Sequence, residues 1–441
     1  MPASLKNMFR ALTVRNYRLY FMGQGISVIG TWIQRTTMGW FVYRLTGSVF
    51  MLGLVSFLSM IPSVFISPFA GTWADKWNRH KLIIGTQTAF FIQTSLLATG
   101  ALTGFINADR LWPIVALSLF QGVIEGIDAP VRQSFLIDLV KIRSMIPNAV
   151  AMNSAMFNGA RLVGPAVAGF LIVAVGEGFC FAINAISYIA VIVMLIMMNI
   201  TYTPYVDTGE STFKKIKDGW RYSWGQFPIR FLISNIAIYT LFGMSYTTLL
   251  PVFAKDILHG DSRTMGMMMS FAGIGALIGA LYLASRTTIE NMANRMLLLG
   301  ILVSVTLIGL SFSTLLPLSL FLMVIIGFGM MMQMSSTNTL IQSVVEDKMR
   351  GRVLSLYTMA FGSVTPFGSI LTGTLSSRIG VQYTLAICAA VCLIWSLSGL
   401  RTLPKMNRSI FRMLIHANNR EIYRPRDISI SMKPEQISES I

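Results

Sequence analysis

Three ionisable side chains stand on one otherwise apolar stretch, QGVIEGIDAPVRQSF at 121–135: Glu125, Asp128 and Arg132. Their i, i+3 and i+7 spacing lines them along one side of a helix. A charge at bilayer depth costs roughly 3 kcal/mol or more, so such residues are paired, hydrated or engaged with an ion or substrate. With a rise of about 1.5 Å per residue from Leu111, Glu125 lies roughly 21 Å along the helix, Asp128 roughly 25 Å and Arg132 about 31 Å. Arg132 at that depth is expected to reach the headgroups. Glu125 is a turn deeper than Asp128 and has no partner evident in the sequence. It is the candidate proton-coupling acid, able to take up and release a proton during transport. Permanent pairing with an Arg or a buried polar group is the alternative.

Two more cations lie at depth. Arg35 falls about 24 Å along the first apolar run and Arg161 about 22 Å along the fifth. Guanidinium groups bind carboxylates and phosphates through paired donors, so the two form a candidate substrate-binding site for one anion. A role for Arg161 in gating is the competing reading. The second half of the chain carries almost no charge at depth and is rich in Met instead. Met265 with Met269 and Met330 with Met334 are i, i+4 pairs. Thioethers suit Cu(I), which makes these four a candidate metal site, but flexible packing or a pliant wall for a bulky substrate explains them as well. Gln333 and Asn338, beside Met330 and Met334, are candidate hydrogen-bonding partners for a substrate, or ties between helices.

Composition sets the elements that must hold these groups. Of 441 residues, 54% are hydrophobic and 12% charged, against about a quarter charged in a soluble domain. Twelve apolar runs are long enough to span a bilayer, the first at 19–43 and the seventh at 231–253. The first lacks a small-residue cleavage site and is expected to be retained. The net charge of +17 encodes topology. Among 35 Lys and Arg, only Arg44, Arg110, Lys255, Arg263 and Arg378 fall in the odd-numbered connections, and Arg35 and Arg161 lie at depth. The rest sit in the tails and even-numbered connections, so both termini are expected in the cytoplasm and no nucleic-acid partner is implied. Cys180, Cys388 and Cys392 form no disulfide framework. His80, His259 and His416 fall in loops or the tail, which argues against an enzyme and against a metal centre built on His.

The chain divides into a six-helix bundle at 1–200, a linker at 201–228 with an interfacial helix, a second bundle at 229–402 and a tail at 403–441 expected to be disordered. In the linker, Trp220 and Trp224 share a helical face, with basic residues elsewhere around it. The halves are related: Leu136 aligns with Leu340, Val140 with Val344, Gly169 with Gly373 and Gly176 with Gly380. Repeated six-helix halves imply two bundles rocking about a central site. The fold expected is an all-α membrane protein of twelve transmembrane helices in two pseudo-symmetric bundles.

Between the second and third runs stands GTWADKWNRHK, 71–81. It resembles the cytoplasmic signature of the major facilitator superfamily, with Asn78 where that pattern usually has Gly. RLVGPAVAG at 161–169 is similar to the Gly-Pro motif of the family's exporters and makes Gly164 and Pro165 a helix-bend motif. TTMGWFVYRLTGS, DAPVRQSFLIDLV and GEGFCFAINAISYIAVI together resemble the exporter branch that holds enterobactin exporters and macrolide efflux pumps. The resemblance implies a gating latch of Gly71, Asp75, Arg79 and Asp128, in which Asp128 is the acid that pairs with the signature Arg; a static salt bridge is the plainer reading.

No G-x-x-x-x-G-K-[ST] loop is present, so ATP is not used by that route. The resemblance implies a monomeric secondary exporter in a bacterial inner membrane, an antiporter driven by the proton gradient without a cofactor. Its partners are the lipid bilayer and a small-molecule substrate that is anionic or amphipathic, a siderophore ahead of an antibiotic. A multidrug or macrolide pump, a lysolipid flippase and a copper transporter are the alternatives.

Overall fold

The computed structural model describes residues 10–140, 145–200, 212–285 and 291–416. The N-terminal half holds α1 (Arg15–Thr46), α2 (Val49–Lys76), α3 (Arg79–Leu102), α4 (Trp112–Leu139), α5 (Ile146–Val175) and α6 (Glu177–Ile196). The linker helix is α7 (Thr212–Gly225). The C-terminal half holds α8 (Phe227–Ile257), α9 (Ser262–Ala284), α10 (Met292–Ser311), α11 (Leu316–Val344), α12 (Asp347–Ile379) and α13 (Val381–His416). Among the described residues, eleven of these helices are long and apolar enough to cross a membrane. The twelfth is α1, which is long enough at 32 residues but carries Gln24, Gln34, Arg35, Thr36 and Thr37, four of them buried. Its polarity serves the bundle interior.

Each half closes on itself. α1 packs on α5 and α6, α2 on α4, and α3 on α4 and α6; in the second half α9 packs on α11, and α10 on α11 and α13. A buried polar node ties corresponding helices in each. Gln34 of α1 accepts hydrogen bonds from Thr94 of α3 at 3.0 Å and Asn184 of α6 at 2.6 Å. Tyr239 of α8 meets Ser304 of α10 at 3.4 Å and Ser396 of α13 at 2.7 Å. The aligned Leu and Val positions are all buried, and Gly176 and Gly380 end their helices with φ of 84° and 87°.

The halves meet along α2 with α12 and α5 with α9. Both contacts lie toward the side where α1 ends and α2 begins, the distal side; α7 and the start of α1 define the proximal side. Glycines permit them. A Cβ on Gly373 would come within 2.9 Å of the Gly53 Cα, and one on Gly169 within 2.8 Å of the Ser262 carbonyl. Gly362 shares the face of α12 that carries Gly373, three turns toward the proximal side, and a Cβ there would meet nothing within 4 Å. On α5, Asn158 lies eleven residues before Gly169 on the same face and is exposed, as is Ser154. Polar side chains so placed face water more favourably than lipid. The bundles are therefore closed distally and splayed proximally around a cleft.

Two boundaries differ from expectation. α8 starts at Phe227 and is irregular, with π turns at Tyr239–Gly243 and Phe253–Ile257. α13 runs past 403 to His416, because Met406 and Ile410 are buried against Ile229, Met296 and Leu340. That stripe of apolar residues at i, i+4 keeps helical a stretch expected to be disordered; residues 417–441 lie outside the described ones. α7 is fastened to α12: Arg352 donates to Asp218 at 3.0 Å, and Gly219 lies flush on the Arg352 backbone. Trp220 and Trp224 stack with ring centroids 4.0 Å apart, both exposed.

Candidate transport site

Arg35 and Glu125 meet in the cleft. The guanidinium donates to Glu125 Oε1 at 2.5 Å, with 43% and 32% of the two side chains exposed. Trp32, one turn before Arg35 on α1, carries both deep arginines: Arg35 lies 5.6 Å and Arg161 5.3 Å from its ring centroid. Gly164 makes that arrangement fit, since a Cβ there would collide with the Trp32 side chain. The next residue, Pro165, turns its carbonyl to Gly266 across the bundle boundary, 2.6 Å from a Cβ built there. Arg161 also lies within electrostatic reach of Tyr246 on α8, so it faces the other bundle. One carboxylate therefore stands against two guanidiniums, and the second guanidinium rests on an indole face, an arrangement that attracts an anion.

Asp128 is elsewhere. It is buried, accepts from Thr86 at 2.7 Å and Gln87 at 2.8 Å on α3, and pairs with Arg132 at 3.1 Å. Arg132 does not reach the headgroups; it lies over the Phe157 ring at 5.3 Å. The signature Arg79 pairs with Asp138 at 3.0 Å, not with Asp128. Arg79 is the first residue of α3, so its neighbour on α4 lies at the proximal end of that helix. Asp128 is ten residues further in, about 15 Å away along the axis. The position expected for the latch acid is thus held by Asp138. Gly71 and Asp75 fall within α2, but their side chains lie outside the described residues.

The chain matches known proteins over most of its length. Residues 7–427 fit the sequence profile of a family described as transmembrane secretion effector. The chain belongs to that family of the major facilitator superfamily. The chain is 27% identical to the Staphyloferrin A transporter of Staphylococcus aureus, with 84% of this chain and 92% of that one covered. It is 24% identical to Macrolide efflux protein A of Streptococcus pyogenes (85% and 95% covered) and 25% to the multidrug efflux pump Tap of Mycobacterium tuberculosis (83% and 87%). Among solved structures, a bacterial homologue of the lysosomal transporter Spinster, inward-facing and unoccupied, superposes with a TM-score of 0.62 at 14% identity, covering 93% of this chain and 99% of that one. A peptide transporter POT in complex with sulfate gives 0.69 at 13%, covering 90% and 95%. These likenesses show the fold. The protein is a multi-pass membrane transporter and not an enzyme.

Gln333 is a structural tie. It is buried, donates to the Met296 carbonyl at 2.6 Å and accepts from Asn235 at 3.0 Å, joining α8, α10 and α11 away from the cleft. Its place three residues after Met330 and one before Met334 could not show which face it takes. Asn338 is half-buried and accepts from Gln342 at 3.2 Å. Met265 and Met330 are buried among Leu, Ile and Phe in the larger core cluster. Met269 is half-buried and accepts from Thr36 at 3.7 Å, and Met334 is half-buried. That placement makes Met265 and Met330 packing residues of the core.

The distal closure uses Tyr43 and Asp256, which the sequence left unmarked, beside Lys255. Tyr43 of α1 donates to Asp256 of α8, and Lys255 lies 5.4 Å from the Tyr43 ring centroid, so one short stretch of α8 grips the opposite bundle twice. Lys255 and Asp256 occupy the second π turn, a geometry often found at functional sites. Arg263 also crosses the boundary, covering Phe170 at 5.9 Å, while Arg44 pairs with Glu177 within the N-terminal bundle. Substituting Asp256→Asn should weaken distal closure about tenfold, the scale of one charge-assisted hydrogen bond. The check is a cysteine at Ser154, which should react more slowly with a polar thiol reagent; an unchanged rate would remove Asp256 from the closure.

Proposed function

We propose that this protein exports a small amphipathic anion from the cytoplasm by alternating access, with its termini inside and its proximal cleft open to the cytoplasm. It works as a monomer in the bacterial inner membrane, linked to protons through Glu125. The observation that carries this reading is the pair of guanidiniums on one indole, Arg35 and Arg161 on Trp32, with a single carboxylate, Glu125, paired to Arg35. A carboxylate-rich metabolite such as a siderophore fits two guanidiniums and an aromatic face, and the relative named for staphyloferrin A supports that class. The asymmetric placement of Lys and Arg supports the orientation.

A second reading has its own observation. The Glu125 carboxylate is accessible in the cleft and could hold a basic amphiphile, as in a macrolide or multidrug pump. Cargo and proton would then exclude one another, the condition for antiport. Mass spectrometry of medium from cells with and without the gene, grown with and without iron, separates the two. Loss of a polycarboxylate or catecholate from iron-starved medium supports the anion; unchanged medium with raised sensitivity to basic drugs supports the pump. For the anion, Glu125→Gln should abolish proton-linked export while cargo binding stays measurable, and for the basic amphiphile it should weaken binding itself; export that stays fully linked to protons in the variant would exclude Glu125 as the coupling acid.

A further inference from the structure

We infer that the Arg35–Glu125–Arg161 site counts charge: a doubly negative cargo binds together with one proton, taken up by Glu125, and a singly negative cargo binds with none. This rests on the reading that the cleft is the cargo site, and it deepens that reading by fixing cargo class and the sign of proton coupling.

The charges around Glu125 are few. α1 supplies Arg35 and α5 supplies Arg161. On α4 itself Asp128 and Arg132 pair with each other at 3.1 Å and cancel. α2 has no ionisable side chain from Val49 to Ala70, and those of α3, Arg79, His80 and Lys81, sit in its first turn at the proximal end. On the facing bundle, Lys255, Asp256 and Arg263 belong to the distal end, and Tyr246 is neutral. The empty cleft therefore carries two positive charges against one negative, a net +1.

Uncompensated charge is costly at this depth. A monoanion brings the site to zero with Glu125 ionised. A dianion overshoots by one unless the Glu125 carboxylate gains a proton. In that step the cargo's second carboxylate takes the Arg35 donor from Glu125 Oε1, and a proton given up by the buffer acid and carried through the cleft water forms an O–H bond on the released carboxyl. Two guanidiniums then face two negative charges, and Glu125 is neutral. By reciprocity, protonation of Glu125 strengthens dianion binding by the same factor that the dianion strengthens protonation. Cargo and proton travel together, the opposite of exchange. Each outward step moves one net negative charge, and a membrane potential negative inside favours that movement.

The test is isothermal titration of the intact protein in detergent with phthalate and benzoate, which share a ring able to lie on Trp32 and differ by one carboxylate. Runs near neutral pH in two buffers of different ionisation heat, neither a dianion, report affinity and protons at once. Expected is uptake of about one proton with phthalate and about none with benzoate. Glu125→Gln should bind phthalate at least as tightly as the parent with no proton uptake. Phthalate binding with proton release, or with none, overturns charge counting and leaves the cargo site standing. Absence of binding by both acids, or binding unchanged by Arg161→Ala, overturns the cargo site and this inference with it.

Discussion

Asp128→Ala should be among the most destabilising single substitutions in the N-terminal bundle, at about 3–5 kcal/mol. The carboxylate is buried, accepts hydrogen bonds from Thr86 and Gln87, and pairs with Arg132. Its removal leaves the Arg132 guanidinium between α4 and the Phe157 ring without its counter-charge and takes the acceptor from Gln87 on α3, while Thr86 keeps its bond to the Ile83 carbonyl. The sign depends on which partner is lost. Replacing Asp128 and Arg132 together with apolar residues of similar volume should recover most of the loss, because the desolvation of both charges vanishes with their attraction. Thermal unfolding of the two variants in detergent measures the cycle. A single-substitution loss below about 1 kcal/mol would show that Asp128 and Arg132 are hydrated rather than bound to one another.

Gly53→Val should empty the state described here. A Cβ on Gly53 meets the Ser369 carbonyl at 2.5 Å and the Gly373 Cα at 3.0 Å, backbone atoms that cannot swing aside as a side chain end would. Overpacking costs about 1–3 kcal/mol, and here it acts only where α2 and α12 are in contact, so it shifts the balance between cleft orientations about five- to hundredfold. The cysteine at Ser154 should lose its reactivity by a similar factor, and export should fall with it. Gly362→Val, on the same face but in open space, should leave reactivity where it was in this orientation. Equal effects at the two positions would mean that the wedge perturbs α12 itself and not its meeting with α2.

Much of the architecture was legible because bilayer constraints write it plainly. Apolar runs had to be helices, and aligned glycines such as Gly169 and Gly373 had to do one job twice; the first contacts α9 and the second α2. The depth of Arg35, Glu125 and Arg161 was readable from helical rise. Their meeting was not, since it depends on the rotation of α1, α4 and α5 about their axes. The same gap explains Gln333, whose type and depth suited a ligand but whose face turns to Met296 and Asn235. It also explains Arg79, where helix identity was available and register between helices was not. Trp32 carried a usable signal, lying three residues before Arg35. Tyr43 and Asp256 carried none, because they are bonded 213 residues apart in the chain.

The fastening of α7 to α12 through Asp218 and Arg352 makes the linker a passenger of the second bundle. Every tilt of that bundle must drag the stacked indoles of Trp220 and Trp224 through whatever medium surrounds them. With that medium the headgroup layer, the turnover of the transporter acquires a friction coefficient set by lipids rather than by cargo. Stiffer, more tightly packed headgroups would then slow the machine without altering any affinity.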